Sequence, residues 1–307
     1  MPRILLDTDP GIDDALALFL ALASPEVQLE AITTVHGNVP VELTTRNALS
    51  LLEVAGRADI PVARGSAQPL VRSPVDAKHV HGPTGLGTLT LPEPQINVVK
   101  PSAPDLIIER VLAAPGELTL VPIGPLTNLA LALRREPAIV SQVREVVIMG
   151  GALRVPGNIT PAAEFNIYAD PHAAHIVFKA GWPIRLVSLD ATNLTVITRE
   201  QTRQLARNGS PITRCIEQML EYYFDAFAPK FGNNVLRLHD PLYLAAAFRP
   251  DFIQWEPAYV DVELNGTLTL GETVAFFQRP DAPAPNVQAS VGVDAERFVA
   301  WFLERLA

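Results

Sequence analysis

Short apolar runs alternate with longer amphipathic ones through the first two thirds of the chain. Residues 4–6, 29–35, 118–121, 146–149 and 184–188 read as buried strands. Between them, residues 15–23, 41–55, the stretch from the Gly124-Pro125 turn through Leu133, and residues 170–180 read as helices. Apolar strands separated by helices predict βαβ units: an α/β fold with an open, mostly parallel, Rossmann-like sheet and helices on both faces. The last third changes character. Residues 200–207 and 212–227 predict helices, and residues 294–306 predict a closing helix with Asp294 at its N-cap. Asn265-Gly266, between residues 259–264 and 267–270, predicts a C-terminal hairpin decoration. The proline-rich stretches 69–104 and 280–285 read as loops too short to link domains, so one domain over 1–307 is expected. Trp182, Trp255 and Trp301 are expected in the core or at its edge.

Composition removes several classes of function. Of 307 residues, 48% are apolar and 19% charged, which is the make-up of a folded chain. A net charge of -9 leaves no electrostatic footprint for nucleic acid. The single cysteine, Cys215, can form neither an intramolecular disulfide nor a cysteine-based zinc site. The longest uncharged apolar run, residues 15–23, is too short to span a bilayer. The N-terminus enters a strand pattern without a signal-peptide layout, so a cytoplasmic protein without a membrane partner is expected.

The sharpest chemistry is at residues 7–14, DTDPGIDD. Asp7, Asp9, Asp13 and Asp14 fall between the first strand and the first helix. In a parallel sheet this is the carboxyl end of a strand, where ligand sites gather. Pro10-Gly11 bends the chain and folds Asp9 back toward Asp13 and Asp14. Helix capping accounts for one or two of these acids. Four packed carboxylates repel, and Arg3 is the only arginine or lysine before Arg46. A divalent cation among them answers the repulsion, and oxygen ligands without cysteine suit Ca²⁺ or Mg²⁺.

Other segments share this character. His239-Asp240-Pro241 opens an apolar stretch, with Asp240 a candidate N-cap as well as a candidate functional acid. Glu164 and Asn166, two apart, would face one side of an extended segment and could grip a polyhydroxyl ligand. Asn38 ends the second strand at the same sheet edge as Asp9. His79 and His81 are spaced like a metal pair, but no third zinc-type ligand accompanies them.

Taken together these segments resemble the inosine-uridine nucleoside hydrolase family. The resemblance runs in order through DTDPGIDDALAL (7–18), AITTVHGN (31–38), HVHGPTGLG (79–87), LVPIGPLTNLA (120–130), EVVIMGG (145–151), AEFNIYADPHAAHIVF (163–178) and HDP (239–241). It implies a tightly held Ca²⁺ and cleavage by water of the N-glycosidic bond between ribose and a nucleobase. By position it implies Asp9, Asp14 and Asp240 as side-chain ligands of the ion and Ile123 as a backbone ligand. Asp13, Asn158, Glu164 and Asn166 match residues that grip the ribose, with Phe165 in the same motif. Asn38 matches one near the attacking water, and His81 and His239 lie near the leaving base. A homo-oligomer, dimer or tetramer, is implied as well.

The implied chemistry parallels glycoside hydrolysis, with positive charge developing on the sugar. Asp9 would act as general base on the water, and His239, with His81, would protonate the departing base. Phe227 stands where some relatives carry a tyrosine that assists the leaving group, and Tyr222 or Tyr223, one turn earlier, could substitute. A pyrimidine preference is the expectation. Residues 231–238 read as a lid. Two alternatives compete. Asp7-x-Asp9 after a buried strand also fits a haloacid-dehalogenase-type phosphatase, and the same fold could serve a non-catalytic ribose-binding protein.

Overall fold

A computed structural model describes residues 1–226 and 235–307. Its strands are β1 (Arg3–Thr8), β2 (Gln28–Thr34), β3 (Val62–Arg64), β4 (Leu118–Pro122), β5 (Glu145–Met149), β6 (Ile184–Val187), β7 (Val196–Thr198), β8 (Val235–Arg237), β9 (Ile253–Val262), β10 (Thr273–Phe277) and β11 (Val287–Val293). Nine of them form one sheet in the order β10-β9-β11-β6-β5-β4-β1-β2-β3, while β7 and β8 form a separate antiparallel ribbon. Pairing is parallel from β3 across to β6 and on to β11. Only β9 and β10 run antiparallel to their neighbours.

β1 shows why the strands carry a continuous apolar run at their middle. Ile4 and Leu6 face a core that includes Phe19 and Tyr243. Leu5 faces the opposite core, with Ile107 and Phe178. A strand covered on both faces needs an apolar side chain at every position, so the sequence loses its alternation. The chain proceeds from β1 to β2 and β3 on one side, then returns to β4, β5 and β6 on the other. That reversal parts the connections leaving β1 and β4, and a crevice opens at their carboxyl ends.

Several expectations need correction. The hairpin is a continuation of the main sheet rather than a decoration on it. Its first strand starts earlier than expected, and residues 267–270 form turn rather than strand. The Glu263 carboxylate accepts from the N–H groups of Asn265 and Gly266 at 2.7 and 3.1 Å, which embeds that turn in a wider loop. Pairing resumes only at Val262 opposite Thr273. The proline-rich region contains a helical turn, Lys78–His81, and its end starts the helix Ala103–Ala113. Asp240 is not an N-cap: Leu238 holds that position and Asp240 lies in the first turn of the helix His239–Ala246. Glu164 and Asn166 do not share one extended segment: Glu164 is extended and Asn166 is helical. Glu164 caps the short helix Phe165–Ala169, accepting from the N–H groups of Asn166 and Ile167. Phe227 and residues 231–234 of the expected lid lie outside the described residues, and the remainder of that stretch includes β8. Asp294 caps the closing helix Ala295–Leu306 as expected, through the N–H of Arg297. Trp182 is buried, and Trp255 and Trp301 pack at the edge of one core. Among the described residues no helix is long and apolar enough to cross a membrane.

Candidate active site

Asp9 follows β1 at the crevice and is 1% exposed. Its Oδ2 accepts from the Asn38 N–H at 2.6 Å, while its buried Oδ1 has no partner among the described residues. Glycines make room for this carboxylate. A Cβ on Gly37 would stand 2.0 Å from Oδ2, and one on Gly124 would stand 2.5 Å from Oδ1. Any side chain at either position would displace Asp9.

Asp14, at the third position of the helix Ile12–Ala23, is a structural hub. Its Oδ1 accepts from Thr8 Oγ1 at 2.6 Å and from the Asp9 N–H at 3.2 Å. Its Oδ2 accepts from the Gly11 N–H at 3.0 Å and from Asn38 Nδ2 at 2.9 Å. The capping reading is therefore true of Asp14 and incomplete. Asp13, Asp14 and Asp240 each bring one carboxylate oxygen within 4.8 Å of the others, a group able to hold a metal ion. Asp9 lies outside this trio, and the Ile123 carbonyl accepts from Asn166 Nδ2 at 2.9 Å.

The electrostatics carry the same message. Burial, then the neighbouring acids, raises Asp9 and Asp240 well above the carboxylate range. Burial lifts Asp13 and Asp14 to about 6, with the Asp13 charge adding to the lift on Asp14. Burial also raises Glu164 to about 6, against three backbone N–H donors from Asn166, Ile167 and Gly151. Among the described residues none of these acids forms an ion pair with lysine or arginine; the nearest basic contact is His81 Nδ1 at 3.9 Å from Asp13. An oxygen-only acidic floor with an orphaned buried oxygen fits a hard cation.

Above this floor lies a cavity of about 400 Å³. Asn38, Asp13, Asn158, Glu164, Phe165, Asn166, Ile123, His81, His239 and Asp240 all line it; Asp9 and Asp14 lie outside its lining. Asn158 Oδ1 accepts from the Phe165 N–H at 2.8 Å, which ties the two ribose-motif segments together. His81 Nδ1 accepts from the Ile12 N–H at 3.1 Å, so its proton sits on Nε2. That bond also removes His81 Nδ1 from any zinc pair with His79. His239 Nδ1 lies 2.7 Å from Thr192 Oγ1. Burial lowers His81 to about 4 and His239 to about 3, with Arg237 adding to the shift on His239. Both imidazoles therefore stand neutral in the free site at pH 7.

Asp7 takes no part in this cavity. It is fully buried, and its Oδ1 accepts from Thr33 Oγ1 at 2.6 Å and Asn128 Nδ2 at 2.7 Å. Its Oδ2, like Asp9 Oδ1, has no partner among the described residues, but neither Thr33 nor Asn128 lines the cavity, so nothing brings a phosphate ester to Asp7 and that alternative loses its support.

Residues 4–300 match the family model described as inosine-uridine preferring nucleoside hydrolase. The chain belongs to that family. It is a nucleoside N-ribohydrolase. The inosine-uridine preferring nucleoside hydrolase of Leishmania major is 41% identical, over 100% of this chain and 98% of its own. The pyrimidine-specific ribonucleoside hydrolase RihA of Citrobacter koseri is 40% identical, over 99% and 97%. The solved structure of a purine-preferring ribonucleoside hydrolase from Gardnerella vaginalis superposes with a TM-score of 0.94 at 34% identity, over 99% and 98%.

In this nucleoside hydrolase the cavity also contains residues that the sequence pattern did not single out. Ile12, Met149, Leu189, Asn193 and Arg237 line it, and of the two tyrosines weighed above it is Tyr223 that does. Tyr222 packs against Gly87 instead, where a Cβ would approach its ring atoms to 2.7 Å. The helical period alone would not orient the two tyrosines, because both follow an amphipathic stripe. Arg237 sits two residues before His239, on a strand too short to show a pattern.

Proposed function

We propose that this enzyme hydrolyses ribonucleosides to ribose and free base with Ca²⁺ as its resident ion, and that pyrimidine nucleosides are its preferred substrates. Asp9 carries the reading: its Oδ2 and the Asp14 carboxylate are both held by Asn38, which lines a cavity of nucleoside size, and its Oδ1 is unpartnered among the described residues. Asp14 and Asp240 belong both to the trio of close carboxylates and to the ligand set that the resemblance implies. Asp9 Oδ1 and the Ile123 carbonyl complete that set, and oxygen donors alone suit Ca²⁺. When bound, the ion would lower the pKa of a water and anchor the ribose 2′- and 3′-hydroxyls.

The chain's own residues do the rest. Asn38 holds Asp9 Oδ2 through its backbone N–H, which fixes the carboxylate that accepts the proton of the attacking water. Asp13, Asn158, Glu164 and Asn166 hold the sugar, with Phe165 closing the wall. The acidic floor favours the positive charge that develops on the ribose. His81, its Nδ1 engaged by Ile12, offers Nε2–H toward the base end, and His239 offers its second nitrogen there. The pyrimidine preference is supported by the pyrimidine-specific relative at 40% identity, while the relative at 41% is named for inosine as well as uridine.

The test is a nucleoside panel read by release of reducing sugar. Uridine is expected to be hydrolysed with higher kcat/KM than inosine. 2′-Deoxyuridine is expected to fall about 100-fold or more below uridine, because hydroxyl partners around Asp13 would be left unpaired. Equal rates on both sugars would contradict the ribose placement. Binding of nucleosides without any release of sugar would instead favour a ribose-binding protein.

A further inference from the structure

We propose that Arg237 is the group that stabilises the departing base, a fixed cation set against the negative charge that gathers on the carbonyl oxygens of an oxo-base. This rests on nucleoside cleavage at the site just described. Arg237 lines the same cavity as Tyr223, His239 and Asp240. Its Nε is buried and has no partner among the described residues. The floor carboxylates do not neutralise it: among the described residues their nearest basic contact is His81. Tyr223 and His239, which line the cavity with it, both feel its charge, although burial dominates each and Asp13 acts on Tyr223 as well.

The backbone that carries it is well held. Val196 of β7 pairs with Arg237, and the next N–H, that of Leu238, donates to the Thr195 carbonyl at 2.8 Å. A guanidinium kept partly out of water without a carboxylate costs stability unless a ligand returns the interaction. The cavity is thus polarised, with acids under the sugar and a cation toward the base. As the C1′–N bond breaks, its electron pair passes to the base nitrogen and spreads onto the ring carbonyl oxygens. The water oxygen bonds C1′ and gives a proton to Asp9; the base anion afterwards takes a proton by way of His81 Nε2–H, which solvent replaces. Charge separates along the direction in which the site is already polarised, so the stabilisation grows toward the transition state. A guanidinium only donates, so it matches the carbonyl oxygens of uracil and hypoxanthine better than adenine, which has an amino group in place of the carbonyl and only ring nitrogens as acceptors.

The experiment compares the wild type with R237Q and R237K on uridine, inosine, adenosine and p-nitrophenyl β-D-ribofuranoside, whose nitrophenolate leaves unaided. For R237Q, kcat/KM on uridine and inosine is expected to fall about 100-fold, with the nitrophenyl riboside changed by less than about threefold. R237K should recover part of the loss, and the inosine-to-adenosine ratio should narrow in R237Q. Parallel losses on all substrates would mean that Arg237 serves the sugar site or the fold, and would overturn the inference alone. So would an unchanged rate on uridine. A wild-type enzyme that releases ribose from none of the four would take down the reading of the site and this inference with it.

Discussion

The two ends of the central sheet handle charge by opposite rules. At the amino ends of the strands, Arg3 lies between Glu30 and Glu117 at 2.8 and 2.6 Å. There too Arg185 pairs with Glu145 at 2.7 Å and donates to the Ala246 carbonyl at 2.8 Å. At the carboxyl ends, Asp9, Asp14, Asp240 and Glu164 are buried beside the partly exposed Asp13, with neither arginine nor lysine against them among the described residues. Acids are plentiful at both ends. What differs is whether the structure supplies the counter-charge. Where it does, the pair ties strands together. Where it does not, the cost waits for something from outside. Unpaired burial, more than the number of acids, marks the end that does chemistry.

The strongest way to break this contrast is Asp9→Asn. The amide keeps the shape and the contact with Asn38 but cannot take a proton. A loss of about 10³-fold in kcat on uridine is expected, with an unchanged circular dichroism spectrum. Near-normal turnover would remove Asp9 from the base role.

Metal removal comes next. Prolonged chelation, with metal content measured alongside, should abolish most activity, and Ca²⁺ should restore it. The sharper reading is the pH dependence of stability. In the metal-free protein burial and mutual repulsion hold Asp13, Asp14 and Glu164 at about 6, with Asp9 and Asp240 higher still. The unfolded chain gives up these protons near pH 4. Between about pH 4 and 7 the folded state therefore holds more protons, and its stability falls as pH rises. A bound cation keeps the same acids ionised and removes that loss. The difference in Tm between loaded and metal-free protein should widen from pH 5 to pH 7. A constant difference would show that the acids do not face the ion.

Much of this was legible in the chain, and the failures have physical causes. The strands from β1 to β6 that are covered on both faces read clearly, because double burial leaves a continuous apolar run. β3 did not, being three residues beside a proline-rich loop. β11 did not either: QASVGV carries a glycine and a serine, and it joins the sheet through a parallel partner on one side and an antiparallel one on the other. In the site, the DTDPGIDD cluster announced itself because helix capping accounts for only one or two of four acids within eight residues. Glu164 was found but misplaced, since a two-residue spacing cannot tell an extended pair from a capping residue and the first turn it caps. Arg237 and Tyr223 were not identifiable, because their meaning comes from what they lack or face in space.

The smallest expected effect belongs to the other end of the sheet, and it completes the contrast. Arg185 and Glu145 sit on β6 and β5, both mostly buried, with side-chain exposures of 19% and 16%. Glu145→Gln would keep the size and one acceptor oxygen but leave the guanidinium without a counter-charge. The pair is partly screened by solvent, and Arg185 retains the Ala246 carbonyl and the nearby Trp255 ring. A loss of about 2 kcal/mol in unfolding free energy is therefore expected, below that of a fully buried pair. Activity should not move, since neither residue lines the cavity, so kcat/KM on uridine should stay within about twofold. A chemical denaturation curve read beside a rate assay separates the two effects. If Glu145→Gln lowered kcat/KM as well as stability, the ends of the sheet would be coupled, and the division of labour between paired and unpaired acids would be wrong.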